Sequence, residues 1–152
     1  MSQALLNYTT TVPARRTVAE VQDLLADAGA RSVMVDFNEA GRAAAIAFVL
    51  VTPLGLRSFR LPADVAAVAK VLARDAAKVR AHVSKANLAS PEQAERVAWR
   101  ILKDWLDAQL ALVRVELATL DQVMLPYMMA KDGRTVYDLY RDHQLALPEA
   151  PS

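Results

Sequence analysis

The chain reads as a single α+β domain over residues 1–145, a three-stranded antiparallel β-meander packed against helices, followed by a flexible tail over residues 146–152. Three observations carry this reading. Ser32 to Phe37 alternates apolar and polar side chains with the period of a half-buried strand. Two further apolar runs follow at connections too short for a crossover, so the strands must pair as hairpins. Ser90 to Leu120 then runs for about thirty residues without an internal Gly or Pro, a helix of roughly 45 Å.

Leu5 to Val12 ends in the β-branched run Thr9-Thr10-Thr11-Val12 and reads as a short edge strand or extended arm closed by Pro13. Thr17 is expected to cap the first helix, with Glu20 completing a capping box. Val18, Val21, Leu24, Leu25 and Ala28 supply its apolar stripe, and Gly29 stands where a helix needs a left-handed closing residue. In the first strand Val33, Val35 and Phe37 share one face and Ser32, Met34 and Asp36 the other.

Asn38 to Gly41 makes a turn. Ala43 to Thr52 is almost continuously apolar, as a strand covered on both faces would be. Thr52-Pro53-Leu54-Gly55 has the Pro and Gly of a tight turn, and Leu56 to Leu61 places Arg57, Phe59 and Leu61 together on the third strand. Pro62 is expected to open a second helix reaching about Val83. Ser90 caps the long helix, Pro91 fits its first position and Glu92 its positive end. A short turn over Leu120 to Leu125 breaks at Pro126. Asp132-Gly133 turns the chain, and Thr135 with Asp138 forms a capping box for a last helix through Tyr140.

The long helix carries two apolar lines. Ala94, Ala98, Ile101, Trp105, Ala108, Leu112 and Val115 form a regular seam; Trp99, Leu102, Leu106, Val113, Leu117 and Leu120 form a second. So much apolar breadth implies either burial on all sides within the domain or a second copy on one seam. Trp99, Trp105, Leu112, Met124 and Met128 are the candidate interface residues, methionines suiting adaptable contacts.

Catalytic signals are missing. His82 and His143 have no metal-ligand spacing, and Gly29, Gly41, Gly55 and Gly133 are each isolated, so no loop can cradle phosphate. Asp104 and Asp107 have basic neighbours at i−4 and read as surface ion-pair members. The absence of cysteine excludes disulfides and thiolate metal sites. No cofactor is expected. The N-terminus lacks a signal-peptide pattern and no stretch is long enough to span a bilayer, which implies a cytoplasmic, non-membrane protein.

Charge is the best functional signal. The net +1 conceals eight basic and three acidic residues over 70–103, against four and eight over 104–152. Lys70, Arg74 and Lys78 lie at i, i+4 and i+8; with Lys85, Arg96, Arg100 and Lys103 they form a basic stripe that Arg57 and Arg60 could extend. Such a stripe suits a phosphate backbone.

The stretch Val97-Ala98-Trp99-Arg100-Ile101-Leu102-Lys103-Asp104-Trp105, its continuation Ala108-Gln109-Leu110-Ala111-Leu112, and the segments Leu125-Pro126-Tyr127 and Asp132-Gly133-Arg134-Thr135 resemble small uncharacterised proteins of bacteriophages and prophages. The resemblance implies a mobile-element setting and no catalytic residue. The element order is also similar to that of phage single-strand annealing proteins, which form rings and bind DNA in basic grooves; near-zero net charge is a departure from them. The expectation is a homo-oligomeric, non-enzymatic accessory protein that binds or anneals single-stranded nucleic acid. The alternative is a module that binds a host or phage protein, as an enzyme inhibitor or assembly factor.

Overall fold

A computed structural model describes residues 4–76 and 90–151. The order is α1 (Ala14–Asp27), β1 (Ser32–Phe37), β2 (Ala43–Thr52), β3 (Gly55–Pro62), α2 (Val65–Ala76), α3 (Pro91–Arg114), α4 (Leu120–Met124), a 3-10 turn (Leu125–Tyr127) and α5 (Val136–Arg141). The strands form one antiparallel sheet in the order β1-β2-β3, the meander expected from the short connections.

The registers place Val33, Val35, Ile46, Phe48, Phe59 and Leu61 on one face of the sheet, where the Phe48 and Phe59 rings stack at 5.4 Å. The helices cover this face. Val21 and Leu25 of α1, and Trp99 and Leu106 of α3, join those strand residues in one buried cluster. The indole Nε1–H of Trp99 donates 2.9 Å to the carbonyl of Ala43, and Arg42 meets Glu92 at 2.9 Å, so the first turns of α3 are fixed beside the β1–β2 hairpin. A smaller cluster joins α2 to α3 through Leu72, Ala94 and Val97.

The register shifts between Asp36 and Phe37, as at a β-bulge. The extra residue, Ala44, is on β2; Phe37, at the end of β1, is 66% exposed and lines the open groove beside α1 instead of joining the core. On the outer face of β2, Ala45 is fully buried. Its strand neighbours there are Asp36 and Pro62, and Arg60 reaches Asp36 at 3.2 Å across that face.

Several sequence expectations need correction. Residues 5–12 make no strand: Asn7 has φ 64°, Tyr8 and Thr10 close turns on Leu5 and Asn7, and the Gln93 side-chain amide donates to the carbonyls of Tyr8 and Thr10. The arm therefore lies across α3, with Leu5 and Tyr8 packed on the α2–α3 cluster. Thr17 is not a cap. α1 begins three residues earlier at Ala14, and Thr17 is fully buried within the helix. Pro62 ends β3 instead of opening α2; the Asp64 carboxylate accepts from the Ala67 N–H in the capping role.

The long helix stops at Arg114. Leu117 N–H donates to Leu112 O and Glu116 N–H to Val113 O, a Schellman closure with Glu116 at φ 63°. Thr119 and Gln122 then form a capping box that starts α4. The expected extension of α2 to Val83 lies outside the described residues.

After the 3-10 turn the chain returns to the sheet. Met129 N–H donates 2.8 Å to Ser58 O, Met128 bridges Phe59, and Met129 bridges Thr135. The β3 edge is thereby partly covered by the molecule's own C-terminal segment. The Thr135–Asp138 capping box forms as expected and opens α5.

Candidate interaction surface

The basic residues do not assemble into one stripe. Arg100 donates to Glu20 of α1 at 2.9 Å, and Lys103 bonds Asp107 at 2.9 Å with Glu20 at 3.9 Å. Arg96 donates to the Gln93 side chain. Arg57 folds onto the Leu56 carbonyl, and Arg60 is tied to Asp36. Asp107 lies one turn along the same helix and was legible from spacing, but Glu20 and Asp36 come from α1 and β1, elements distant in sequence, so spacing along one helix could not reveal them. Lys70 and Arg74 are the members of the set that are exposed and without an ion pair among the described residues. Lys78 and Lys85 lie outside those residues.

Candidate interface residues divide in a similar way. Trp99 and Met124 are fully buried in the domain's own core and are corrected on that ground. Trp105 packs edge-on against Tyr127 at 5.6 Å, and Met128 is half-buried at the β3 edge. Leu112 stays 39% exposed near the C-terminal end of α3, with Leu117 at 74%. The sheet, α1, α2 and the N-terminal arm share the remaining surface of α3. The apolar breadth read from its sequence is thus largely consumed within the chain.

Chemistry is equally sparse. Among the described residues no group of three or more His, Cys, Asp or Glu side chains is placed to hold a metal ion. Asp104 accepts 2.8 Å from the Asn7 side-chain amide, and Asp107 is the Lys103 partner, so both carboxylates serve structure. A pocket of about 480 Å³ opens between β3 and the C-terminal segment, lined by Arg60, Pro62, Tyr127, Met129, Tyr137 and Asp138 among others. Its charged members are committed: Arg60 to Asp36, and Asp138 to the α5 cap. The Thr135 backbone N–H holds the Asp138 carboxyl below its ordinary range.

The opposite side of the sheet is different. β1 is an edge strand, and no backbone–backbone hydrogen bond between described residues runs from it to anything beyond β2. Beside it lies a groove of about 720 Å³ between α1 and β1. Val18 and Ala19 line one wall, Val33, Met34, Val35 and Phe37 the other. Met34 is 62% exposed although it sits in the middle of the strand. Arg15 stands at the rim. Natural edges are usually blunted by charged side chains, proline, bulges, or a covering loop or helix; β1 has one charge, Asp36, and the irregularity at its end, and no described residue pairs with Ser32 to Asp36 from outside.

Sequence reasoning overlooked this site. The alternation of β1 was plain, but nothing in the residues said that its outer side would stay open. Comparison with protein families, with curated proteins and with solved structures returns no match to this chain.

Proposed function

We propose that the chain is a non-enzymatic interaction module of the cytoplasm that binds an extended polypeptide segment by adding it to the sheet at β1. One observation carries this reading: among the described residues the chain partly covers its β3 edge with its own Met128–Met129 segment, while nothing pairs with the outer side of β1 beside an apolar groove. A strand laid along β1 gains main-chain hydrogen bonds for affinity, and alternate side chains entering the groove give specificity. The recognised chemistry is a segment that alternates apolar and polar residues.

Selection from a displayed library of random peptides roughly ten residues long tests it. Enrichment of alternating β-branched sequences, lost when Met34→Lys places a charge on the edge, is the expected result. Equal recovery by the parent and the variant overturns it.

A second reading is favoured by Lys70 and Arg74, exposed, without an ion pair among the described residues, and one helical turn apart on α2. It is the phage-type accessory protein that binds single-stranded nucleic acid. With these two contacts alone, log affinity would fall with log salt at a slope of only about −1.4. No retention of a labelled oligonucleotide at about 50 mM salt, or retention unchanged in Lys70→Glu/Arg74→Glu, overturns this second reading.

A further inference from the structure

We infer that the segment docking at β1 is β1 of a second copy of this chain, the two strands pairing antiparallel about Met34 and the two α1 helices packing antiparallel about Ala19. The inference rests on the strand-docking reading and names its partner.

Identical strands related by a twofold axis must keep core-facing residues on the core face. Val33 and Val35 face the core, so the axis must pass through a residue and not between two. Centred on Met34, Val33 falls opposite the partner's Val35 on the helix-covered face. Ser32 falls opposite the partner's Asp36 on the outer face, where a hydroxyl meets a carboxylate. The two aspartates stand about 13 Å apart along the strands, so no like charges meet. Arg31, exposed and just before the first residue of β1, falls opposite the partner's Phe37 at the far end of the paired strands. Centring on Val33 would set Arg31 against the partner's Val35. Centring on Val35 would set Val33 against the partner's Phe37 and carry the pairing past the last residue of β1 into the Asn38–Gly41 turn.

An axis perpendicular to the sheet keeps both α1 helices on one face, and their exposed stripe is also self-complementary. Arg15, Ala19 and Asp23 are exposed and stand at i, i+4 and i+8. Antiparallel packing about Ala19 sets Arg15 against the partner's Asp23, twice by symmetry, and the small alanine lets the backbones approach. Arg15 and Asp23 have no ion pair among the described residues, whereas neighbouring Arg16 is held by Glu20 at 3.5 Å. Ala19 and Met34 line the same groove, so one axis can serve both centres. The product is a closed dimer with a continuous sheet twice the width of the three-stranded one.

The chain has no cysteine, which makes single-cysteine crosslinking clean. Met34→Cys is expected to form an interchain disulfide on mild oxidation, and Ser32→Cys, which lies opposite a different residue, is not. Light scattering should give twice the 16.6 kDa chain mass. Met34→Lys and Met34→Glu, both at an exposed position, should each keep the parent circular dichroism and weaken the dimer roughly 100-fold; mixing the two should restore it. A parent chain that stays monomeric at its highest soluble concentration overturns the inference. So does a Met34→Lys dimer of undiminished strength, or equal crosslinking at positions 32 and 34. A monomer that still selects alternating peptides leaves the docking reading standing, and a monomer that selects none removes both.

Discussion

Two side chains sit where local physics disfavours them, and each gives a stability prediction. Thr17 is fully buried, and its hydroxyl has no hydrogen-bond partner among the described residues. A buried unpaired hydroxyl loses its water without compensation, while valine has nearly the same shape and no such group. Thr17→Val is expected to stabilise the fold by about 1 kcal/mol, raising the melting temperature by about 2–4 °C in a calorimetric scan. Glu116 closes α3 at φ 63°, a position where Gly29 serves the same purpose for α1 at φ 104°. A side chain in the left-handed region costs about 1–2 kcal/mol, partly offset by the greater chain entropy of an unfolded glycine. Glu116→Gly should therefore gain about 1 kcal/mol in denaturant unfolding, with no change in the slope against denaturant.

At the scale of elements, the C-terminal unit is held by carboxylates whose protonation should loosen it. Asp138 is lowered first by the Thr135 backbone N–H; Asp132 is lowered first by the Arg134 backbone N–H and then by its guanidinium. Both groups have a folded pKa below the unfolded one. Their contribution is thus present above the ordinary value of 3.8 and is lost as pH falls through the depressed one. As the solution is acidified below that value, α5 should fray before the core melts. The readout is amide exchange at Asp138, and Asp138→Asn should flatten the pH dependence.

The same segment shows what was legible beforehand. Its capping box, the meander and the Ser90 cap were readable because each depends on residues within a few positions of one another. The N-terminal arm was not. Four β-branched residues in a row suit a strand, but Gln93, more than eighty residues away, takes the carbonyls of Tyr8 and Thr10. The basic stripe dissolved for the same reason, since Glu20 on α1 draws Arg100 out of it. Local spacing identified the elements. The pairings that decide which charges and which edges stay free are long-range.

Over the whole molecule the sheet is asymmetric, and that asymmetry limits how far it can propagate. A sheet with two open edges adds strands at both sides and grows into a polymer; a sheet with one open edge stops when two copies have met. Here the covered edge depends on the Met128–Met129 segment, in particular the 2.8 Å bond from Met129 N–H to Ser58 O. Met129→Pro deletes that donor. Met128, at φ −65° and ψ 135°, already has the extended backbone that a following proline demands. The substitution should leave the core cluster of α1, α3 and the strands intact while freeing the Ser58 carbonyl on β3. We expect Met129→Pro to lose about 1 kcal/mol of stability. Unlike the parent, it should sediment as a concentration-dependent series of species with no fixed stoichiometry. Combining it with Met34→Lys should return the series to a discrete form, because one edge is again closed. A Met129→Pro chain with the parent's sedimentation profile would show that the C-terminal segment does not guard the sheet.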